Sequence, residues 1–170
     1  MKNILLIGGS GYIGTVLIPK LLKKSYNVTN IDNLIYGHSD KNLDFVKKNK
    51  LKFKYEHINL DIRKIKKFRI DRTKFDAVII LAGLVGDPIT KKYPKLSKEI
   101  NRVAIKNLIN LFQKVKLRLI FVSTCSNYGL RNEKPAKENS TLKPLSLYAN
   151  DKVFIEQYLK KRSKINKFSY

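Results

Sequence analysis

Two side chains near the end of the chain, Tyr148 and Lys152, could carry out proton transfer. They lie four residues apart in the segment YANDK, and residues at this spacing share one face of a helix. A phenol ordinarily titrates near pH 10, and a neighbouring ammonium group lowers its pKa by favouring the phenolate. The pair therefore predicts a general base that takes a proton from a hydroxyl group. Because Tyr and Lys also occur at this spacing on ordinary helix surfaces, other features have to support it.

A second candidate site is the glycine-rich segment GGSGYIG, in which Gly8, Gly11 and Gly14 are spaced three residues apart. It lies between an apolar run of strand length and an amphipathic helical pattern, where the backbone can approach a pyrophosphate at the N-terminus of the helix. Asp32 follows at the end of the next apolar run, where its carboxylate can bind ribose hydroxyls and repel a 2′-phosphate. The pattern predicts dinucleotide binding with NAD favoured over NADP. The alternative is a tight turn with a surface Asp.

A hydroxyl-rich segment, STCSNYG, begins at Ser123 and follows the last apolar run of strand length, the fifth along the chain. Thr124 could hydrogen-bond the reacting oxygen of a substrate and share it with Tyr148, or it could simply cap a turn. Cys125 could assist as an acid or base, although a lone Cys of this kind more often serves as a small packing residue.

The elements that must position these groups alternate along the chain. Short apolar runs predict strands, and apolar residues at helical spacing predict the helices between them. The predicted strands are Asn3–Ile7, Val28–Ile31, Phe53–Ile58, Ala77–Leu81 and Leu117–Val122, and the predicted helices are Tyr12–Lys24, Leu43–Asn49, Ser97–Lys114 and Leu147–Arg162. Such alternation predicts an α/β fold with a parallel sheet covered on both faces. The carboxyl ends of its strands would then carry the site.

Composition narrows the class of protein further. A chain of 170 residues is ordinarily one domain, and no apolar run is long enough to span a bilayer. The formal net charge is +23, but lysine supplies 29 of the 36 basic residues and is scattered, which argues against nucleic acid as a partner. One cysteine excludes an internal disulfide. His38 and His57 have no paired ligands in the sequence, so we expect surface histidines and no metal. We expect a cytoplasmic protein.

Seven segments then occur in the order of a known family: GGSGYIG, DNLIYG, LDIRK, LAGLVGDP, EINRVAIKNLI, FVSTCSNYG and YANDK. In these the chain resembles the extended short-chain dehydrogenase/reductases, and among them the NAD-dependent nucleotide-sugar epimerases and dehydratases. The resemblance implies a Rossmann-type doubly wound parallel sheet, NAD as cofactor and a nucleotide-diphosphate sugar as substrate. It also implies a catalytic triad of Thr124, Tyr148 and Lys152.

The resemblance assigns cofactor contacts to matching positions. The pyrophosphate would lie against the glycine turn, the adenosine against the segment after the second strand, and the nicotinamide near the triad. The residues implied are Gly8, Gly11, Tyr12, Ile13 and Gly14 for the pyrophosphate; Asp32, Asn33, Tyr36, Gly37, Asp61 and Ile62 for the adenosine; and Leu81, Ala82, Gly83, Asn101, Ser123, Tyr148 and Lys152 for the rest of the cofactor.

The residues after Thr124 bear on the reaction. The 4,6-dehydratases of the family that this chain resembles carry an acidic residue directly after the Thr, whereas this chain has Cys125 and Ser126. This difference favours a 4-epimerase-like reaction through transient oxidation at C4. A dehydratase or reductase half, or a non-catalytic NAD-binding protein, remain the alternatives.

The length differs from that of the family, whose members run to about twice 170 residues. We therefore expect residues 1–170 to form an incomplete NAD-binding domain, truncated after the helix with Tyr148 and Lys152, without the substrate-binding domain. The terminal KRSKINKFSY would be a polar tail leading toward a missing strand. Strand five and the last helix would then expose apolar surface, so we expect self-association, a homodimer, or a complementary chain that supplies the other half.

Overall fold

Five parallel strands form the centre of the molecule. The computed structural model describes residues 2–37, 39–67, 69–130, 135–164 and 168–170. The strands are β1 (Asn3–Ile7), β2 (Asn27–Asp32), β3 (Tyr55–Asn59), β4 (Ala77–Ile80) and β5 (Arg118–Phe121). Their order in the sheet is β3-β2-β1-β4-β5, and every pairing is parallel. This is the order of a Rossmann-type sheet, so the predicted fold class is confirmed.

The helices connect the strands and cover both faces of the sheet. They are α1 (Tyr12–Lys23), α2 (Asn42–Lys48), α3 (Asp87–Lys92), α4 (Pro94–Ser97), α5 (Ile105–Leu111) and α6 (Leu147–Ser163), with a π-helical segment, Lys98–Ala104, that joins α4 to α5. The helix predicted over Ser97–Lys114 therefore begins earlier and ends at Leu111. Sequence periodicity missed α3 and α4, which are too short for a repeating apolar pattern and which each place a proline in the first turn.

Alternate residues of the strands pack into two separate hydrophobic cores, one on each face of the sheet. Leu5 and Ile7 of β1 face one side, where they pack with α5 and α6 and with Phe112. Ile4 and Leu6 face the other side, against Ile18 and Leu22 of α1 and Val46 of α2. Because side chains of a strand alternate between faces, a strand that is apolar throughout must be covered on both. This arrangement directs the carboxyl ends of the strands, rather than a sheet face, toward solvent.

The end of the chain lies on the outer side of β5. Ser169 pairs with Arg118 as an isolated parallel bridge, its N–H donates to the Leu117 carbonyl at 3.1 Å, and its carbonyl accepts from the Leu119 N–H at 2.7 Å. Phe168 is buried in the core beside α6. The predicted polar tail is therefore wrong for residues 168–170, because an aromatic side chain that fills the core carries the backbone onto the edge of the sheet. Residues 165–167 of that predicted tail lie outside the described residues.

The apolar side chains of β5 are only partly covered. Ile120 is 43% exposed, whereas Leu119 is fully buried and Phe121 is half-buried.

Within the described part of the chain, no helix combines the length and apolar character needed to cross a membrane.

Candidate functional site

The glycine turn lies at the carboxyl edge of the sheet, between β1 and α1. Gly8 has a φ of +83°, a conformation that side chains disfavour, and its N–H donates to the Ile31 carbonyl at 2.8 Å. A Cβ on Gly8 would lie 2.5 Å from the Ala82 backbone nitrogen, and one on Gly14 would lie 2.2 Å from the Gly9 carbonyl oxygen. Two of the three glycines are therefore required by the packing of the protein itself.

Gly11 is different, because a Cβ there would meet only the Gly8 carbonyl oxygen, at an ordinary 3.6 Å. It is the N-cap of α1, and neither a capping side chain nor an acidic residue occupies the first turn of that helix. The helix therefore presents backbone N–H groups and the positive end of its dipole to the space in front of Gly11. Tyr12 is 93% exposed and Ile13 is 51% exposed beside it. This open cradle fits the pyrophosphate of a dinucleotide.

Asp32 ends β2 beside the turn, as predicted. Its carboxylate accepts the Ser10 N–H at 2.9 Å and the Leu34 N–H at 2.8 Å. Leu34 has a φ of +58°, which costs free energy for a residue with a Cβ, and the bond to Asp32 helps to hold it. A carboxylate oxygen accepts more than one hydrogen bond, so Asp32 can still bind a ribose hydroxyl.

The predicted adenosine segment continues over the edge of the sheet. Asn33 is half-buried, and the Gly37 N–H closes a turn by donating to the Leu34 carbonyl at 3.0 Å. Burial raises the pKa of Tyr36, while the Val85 backbone N–H acts in the opposite direction. Tyr36 thus lies near the loop after β4, which places the two loops on either side of the end of β1.

Asp61 and Ile62, predicted to flank the adenine, follow β3. The Arg63 Nε–H is shared between Oδ1 and Oδ2 of Asp61, at 3.1 and 2.9 Å, and the Arg63 backbone N–H donates to Oδ1 at 2.9 Å. The hydrogen bonds from the Arg63 guanidinium lower the pKa of Asp61. Ile62 is buried in the core. The structure therefore shows an ion pair at Asp61 and a packing role for Ile62.

The loop after β4 packs against the glycine turn. The N–H groups of Leu81 and Ala82 both donate to the Ile7 carbonyl, at 2.8 and 2.9 Å. Asn101 reaches this loop from the π-helical segment: its Oδ1 accepts the Leu84 N–H at 2.8 Å and its Nδ2 donates to the Leu84 carbonyl at 3.0 Å. A Cβ on Gly83 would lie 3.0 Å from Asn101 Oδ1. Asn101 thus holds the loop that was predicted to contact the cofactor.

A buried charged group connects Asn101 to the helix with Tyr148 and Lys152. Asp151 of α6 is fully buried, accepts from Ser97 Oγ at 2.8 Å and forms an ion pair with Arg102. Ser97 Oγ in turn accepts from Asn101 Nδ2 at 3.2 Å. The sequence analysis missed this network. An acidic residue next to the predicted catalytic lysine was its one signal in the sequence.

Tyr148 and Lys152 share one face of α6, as predicted. Lys152 is 6% exposed, and its Nζ donates to the Val122 carbonyl at 2.7 Å at the end of β5. The same Nζ lies 5.7 Å from the centre of the Tyr148 ring and 4.6 Å from that of Phe121. The ammonium group therefore lies between α6 and the sheet, next to the phenol.

Burial shifts the pKa values of both Tyr148 and Lys152. Burial raises the pKa of Tyr148, and the charges of Asp87 and Cys125 act in the same direction. Burial lowers the pKa of Lys152 to about 8. Desolvation is therefore the largest effect on the pKa of each group.

Thr124 caps the short 3₁₀ turn Cys125–Tyr128. Its Oγ1 accepts the Ser126 N–H and donates to Ser126 Oγ, both at 3.3 Å. Capping, the alternative role considered from the sequence, is thus the one that the structure shows, although Thr124 remains half-buried at the carboxyl edge. Ser123 Oγ accepts from Asn127 Nδ2 at 3.0 Å, and Asn127 also donates to Glu156 of α6 at 2.9 Å. Cys125 is exposed.

Beneath the glycine turn lies a polar cluster that the sequence analysis also missed, formed by Asn30, Asp40, Asn42, Tyr55 and His57. The expectation of a surface His57 is wrong, since its Nδ1 lies 3.3 Å from Asp40 Oδ2 in the interior. Asn30, a polar residue within the predicted strand Val28–Ile31, was the signal for this cluster. His38 lies outside the described residues. The described residues contain no group of three or more potential metal ligands.

A Rossmann-type sheet with a glycine turn at β1, an acid at the end of β2 and a Tyr-x-x-x-Lys helix beside β5 defines a dinucleotide-dependent enzyme class. The profile of the NAD dependent epimerase/dehydratase family matches residues 4–170. The chain therefore belongs to this family. The prediction of NAD as the cofactor is confirmed at the level of the family.

Individual relatives agree with this assignment. The chain is 33% identical over 164 residues to UDP-glucose 4-epimerase 2 of Arabidopsis thaliana, covering 92% of this chain and 46% of the relative. It is similar to the solved UDP-Glc/GlcNAc 4-epimerase of Campylobacter jejuni, with a TM-score of 0.87 and 26% identity over 98% of this chain and 50% of that one. A second solved structure, of a UDP-glucuronic acid 4-epimerase from Bacillus cereus with UDP-glucuronic acid and NAD, matches with a TM-score of 0.79 at 26% identity. The match covers 98% of this chain and 54% of that one. The chain spans about half the length of these relatives.

Proposed function

We propose that the chain is the cofactor-binding part of an NAD-dependent nucleotide-sugar 4-epimerase. One observation carries this proposal: the cradle at Gly11, the carboxylate of Asp32 and the Tyr148–Lys152 pair all lie along the same carboxyl edge of the sheet. The 4-epimerases among its relatives add to this support. Thr124 is followed by Cys125 and Ser126, and neither supplies a carboxylate of the kind expected in a dehydratase.

The pyrophosphate binds at the N-terminus of α1, where the N–H groups of the first turn have no capping side chain. Asp32 binds the ribose hydroxyls and repels a 2′-phosphate. Bound NAD supplies the chemistry of accepting and returning a hydride at C4 of the sugar. Tyr148 takes the proton of the C4 hydroxyl and later returns it.

Lys152 makes this proton transfer feasible. Because burial raises the pKa of Tyr148, the phenolate that takes the hydroxyl proton forms only when positive charge lies close to the ring. Lys152 has a pKa of about 8 and is therefore mostly protonated at neutral pH. Its bond to the Val122 carbonyl fixes the charge beside the ring. Thr124 orients the sugar hydroxyl from the end of β5 once its oxygen turns from Ser126.

A second candidate function is NAD binding without catalysis. Two observations favour it: Thr124 Oγ1 caps its own turn, and the pKa of Tyr148 is raised rather than lowered. A binding protein of this kind would use the cradle and Asp32 but would not need the phenol.

The first experiment is calorimetric titration of the 170-residue chain with NAD⁺ and, separately, with NADP⁺. We expect saturable one-to-one binding that prefers NAD⁺. Gly11→Ala is the informative variant, because the added methyl group has room in the protein but fills the cradle; it should weaken binding by about tenfold or more at unchanged stability. Asp32→Ala is less clean, since it also removes the bonds to Ser10 and Leu34. A folded chain that does not bind NAD⁺ would contradict the proposal.

The second experiment separates the two candidate functions. Interconversion of UDP-glucose and UDP-galactose is followed in the presence of NAD⁺, with Tyr148→Phe as the matched variant that keeps the ring and removes the hydroxyl group. Turnover that falls by at least about a hundredfold in Tyr148→Phe, at unchanged NAD⁺ affinity, supports the epimerase. Binding of NAD⁺ without turnover supports the second candidate for the chain by itself.

A further inference from the structure

The polar cluster under the glycine turn has no part in the proposed chemistry, yet it is deeply buried. Asn30 is 0% exposed, Asn42 1% and Asp40 3%, and Tyr55 is 7% exposed. Burial of polar groups, and above all of a carboxylate, is costly unless hydrogen bonds replace the lost water. A cluster of this kind in the interior therefore requires an explanation.

The cluster holds the second and third residues of the glycine turn. Asn30 Oδ1 accepts the Gly9 N–H at 2.9 Å, and Asn42 Nδ2 donates to the Gly9 carbonyl at 3.1 Å. Both backbone groups of Gly9 thus have side-chain partners. The fit is close, because a Cβ on Gly9 would lie 2.4 Å from Asn30 Oδ1.

Asp40 is the centre of the cluster. It accepts hydrogen bonds from Ser10 Oγ at 3.0 Å and from Asn42 Nδ2 at 2.7 Å. Tyr55 also donates to its carboxylate, and His57 Nδ1 lies 3.3 Å from it. These partners come from the glycine turn, α2 and β3, so one carboxylate joins three parts of the cofactor side.

Ser10 connects both ends of the predicted adenosine loop. Its N–H donates to Asp32, where the loop begins, and its hydroxyl donates to Asp40, where the loop ends. The loop and the turn that would hold the two halves of an adenosine diphosphate are therefore fixed to the same residue.

We propose that Asp40 is a positioning residue for the dinucleotide, which holds the glycine turn and the loop at 33–37 in the conformation that binds adenosine diphosphate. This inference rests on the proposed function. Asp40 does not touch the ligand; it acts through Ser10 directly and through Asn42 on Gly9. Since geometry of the turn decides whether the α1 N–H groups face the pyrophosphate, a small displacement should cost affinity.

The test is titration of the chain and of Asp40→Asn with NAD⁺ and with ADP, at temperatures well below unfolding. We expect Asp40→Asn to weaken both ligands by a similar factor of about ten or more, because both share the adenosine diphosphate. The matched control is Asp44→Asn, the same change at an exposed position of α2, which should leave both affinities unchanged. A purely structural role would lower thermal stability without changing the affinity of the folded chain.

Ser10→Ala provides a second variant if Asp40→Asn does not fold, since it removes only the hydroxyl between Asp40 and the turn. We expect ADP affinity to fall by about threefold to tenfold. Affinities within twofold of the parent, in either variant that folds, would overturn the inference.

Amide hydrogen exchange of the ligand-free chain keeps this test separate from the proposed function. We expect faster exchange at Gly9 and Ser10 in Asp40→Asn than in the parent. If the parent chain binds neither NAD⁺ nor ADP while exchange still increases, the proposed function fails and the structural link stands. Unchanged exchange at both amides would contradict the positioning role itself.

Discussion

The cofactor side and the catalytic side of this site are built in different ways. At the glycine turn, close packing around Gly8 and Gly14 and the buried bonds of Asn30 and Asp40 fix the backbone on several sides. At the end of β5, Thr124 is held by two long bonds within its own turn, and Cys125 and Ser126 are exposed. Asn127, Asp151 and Lys152 are nevertheless buried on that side.

The difference agrees with the function proposed for each side. A pyrophosphate is the same in every dinucleotide, so one rigid conformation of the turn suits it. A turn that is already ordered before binding loses little conformational entropy when the ligand binds. The hydroxyl groups beside β5 would meet a sugar that changes during the reaction, and bonds of Thr124 to its own turn are easily exchanged for bonds to a ligand. In the described residues the cofactor side is preorganised, whereas Thr124 still has to change partners.

The largest expected effect tests the rigidity of the cofactor side. Gly14→Ala places a methyl group 2.2 Å from the Gly9 carbonyl oxygen, so the turn and α1 must separate. We expect a loss of about 3 kcal/mol or more in the free energy of unfolding, measured by urea denaturation. Gly37→Ala is the control, because nothing lies within 4 Å of that position. Equal stability of the two variants would show that the turn is not tightly packed.

A smaller effect is expected for the buried network on the catalytic side. Arg102→Met leaves the carboxylate of Asp151 in the interior without its cationic partner, and we expect a loss of about 2 to 3 kcal/mol. Lys98→Met, an exposed change in the same π-helical segment, should cost little. If Arg102→Met also leaves the free energy of unfolding unchanged, α6 is positioned by its apolar contacts. The buried polar bonds would then matter only on the cofactor side.

The pKa of Lys152 predicts a pH dependence that is specific to the catalytic side. The folded chain releases this proton near pH 8 and the unfolded chain near 10.5, so fewer protons are bound in the folded state between these values. Stability contributed by Lys152 therefore rises with pH in that window, by about 2 to 3 kcal/mol relative to Lys152→Met. Denaturation of both proteins from pH 7.5 to 10.5 measures it, with Lys160→Met as the exposed control on α6. Parallel curves for all three would indicate that the ammonium is better solvated than its burial indicates.

The smallest effect concerns Thr124. Thr124→Ala removes the cap of the turn at Cys125–Tyr128 and its long bond to the Ser126 N–H. We expect a loss of only about 0.5 to 1 kcal/mol in the free energy of unfolding, measured by thermal denaturation, and no change in NAD⁺ affinity. A loss as large as that of Gly14→Ala would contradict the contrast between the two sides.

Much of the fold could be predicted because its signals are local. The apolar runs at Asn3–Ile7 and Ala77–Ile80 are buried on both faces, and such runs occur in parallel sheets. The glycine spacing and the Tyr148–Lys152 spacing each belong to one turn or one helix, so their geometry follows from the chain itself. For the same reason Asp32 could be placed at the end of its strand and next to the turn.

What only the tertiary structure decided depends on partners distant in sequence. The depth of burial that raises the pKa of Tyr148 and lowers that of Lys152 comes from β5 and α6 packing together. Asp40 and His57, and likewise Arg102 and Asp151, are brought together by the sheet and its crossovers rather than by any spacing. The sequence by itself determined which groups could do chemistry and on which edge they lie. Tertiary packing decided the direction of their pKa shifts, because desolvation depends on everything that surrounds a group.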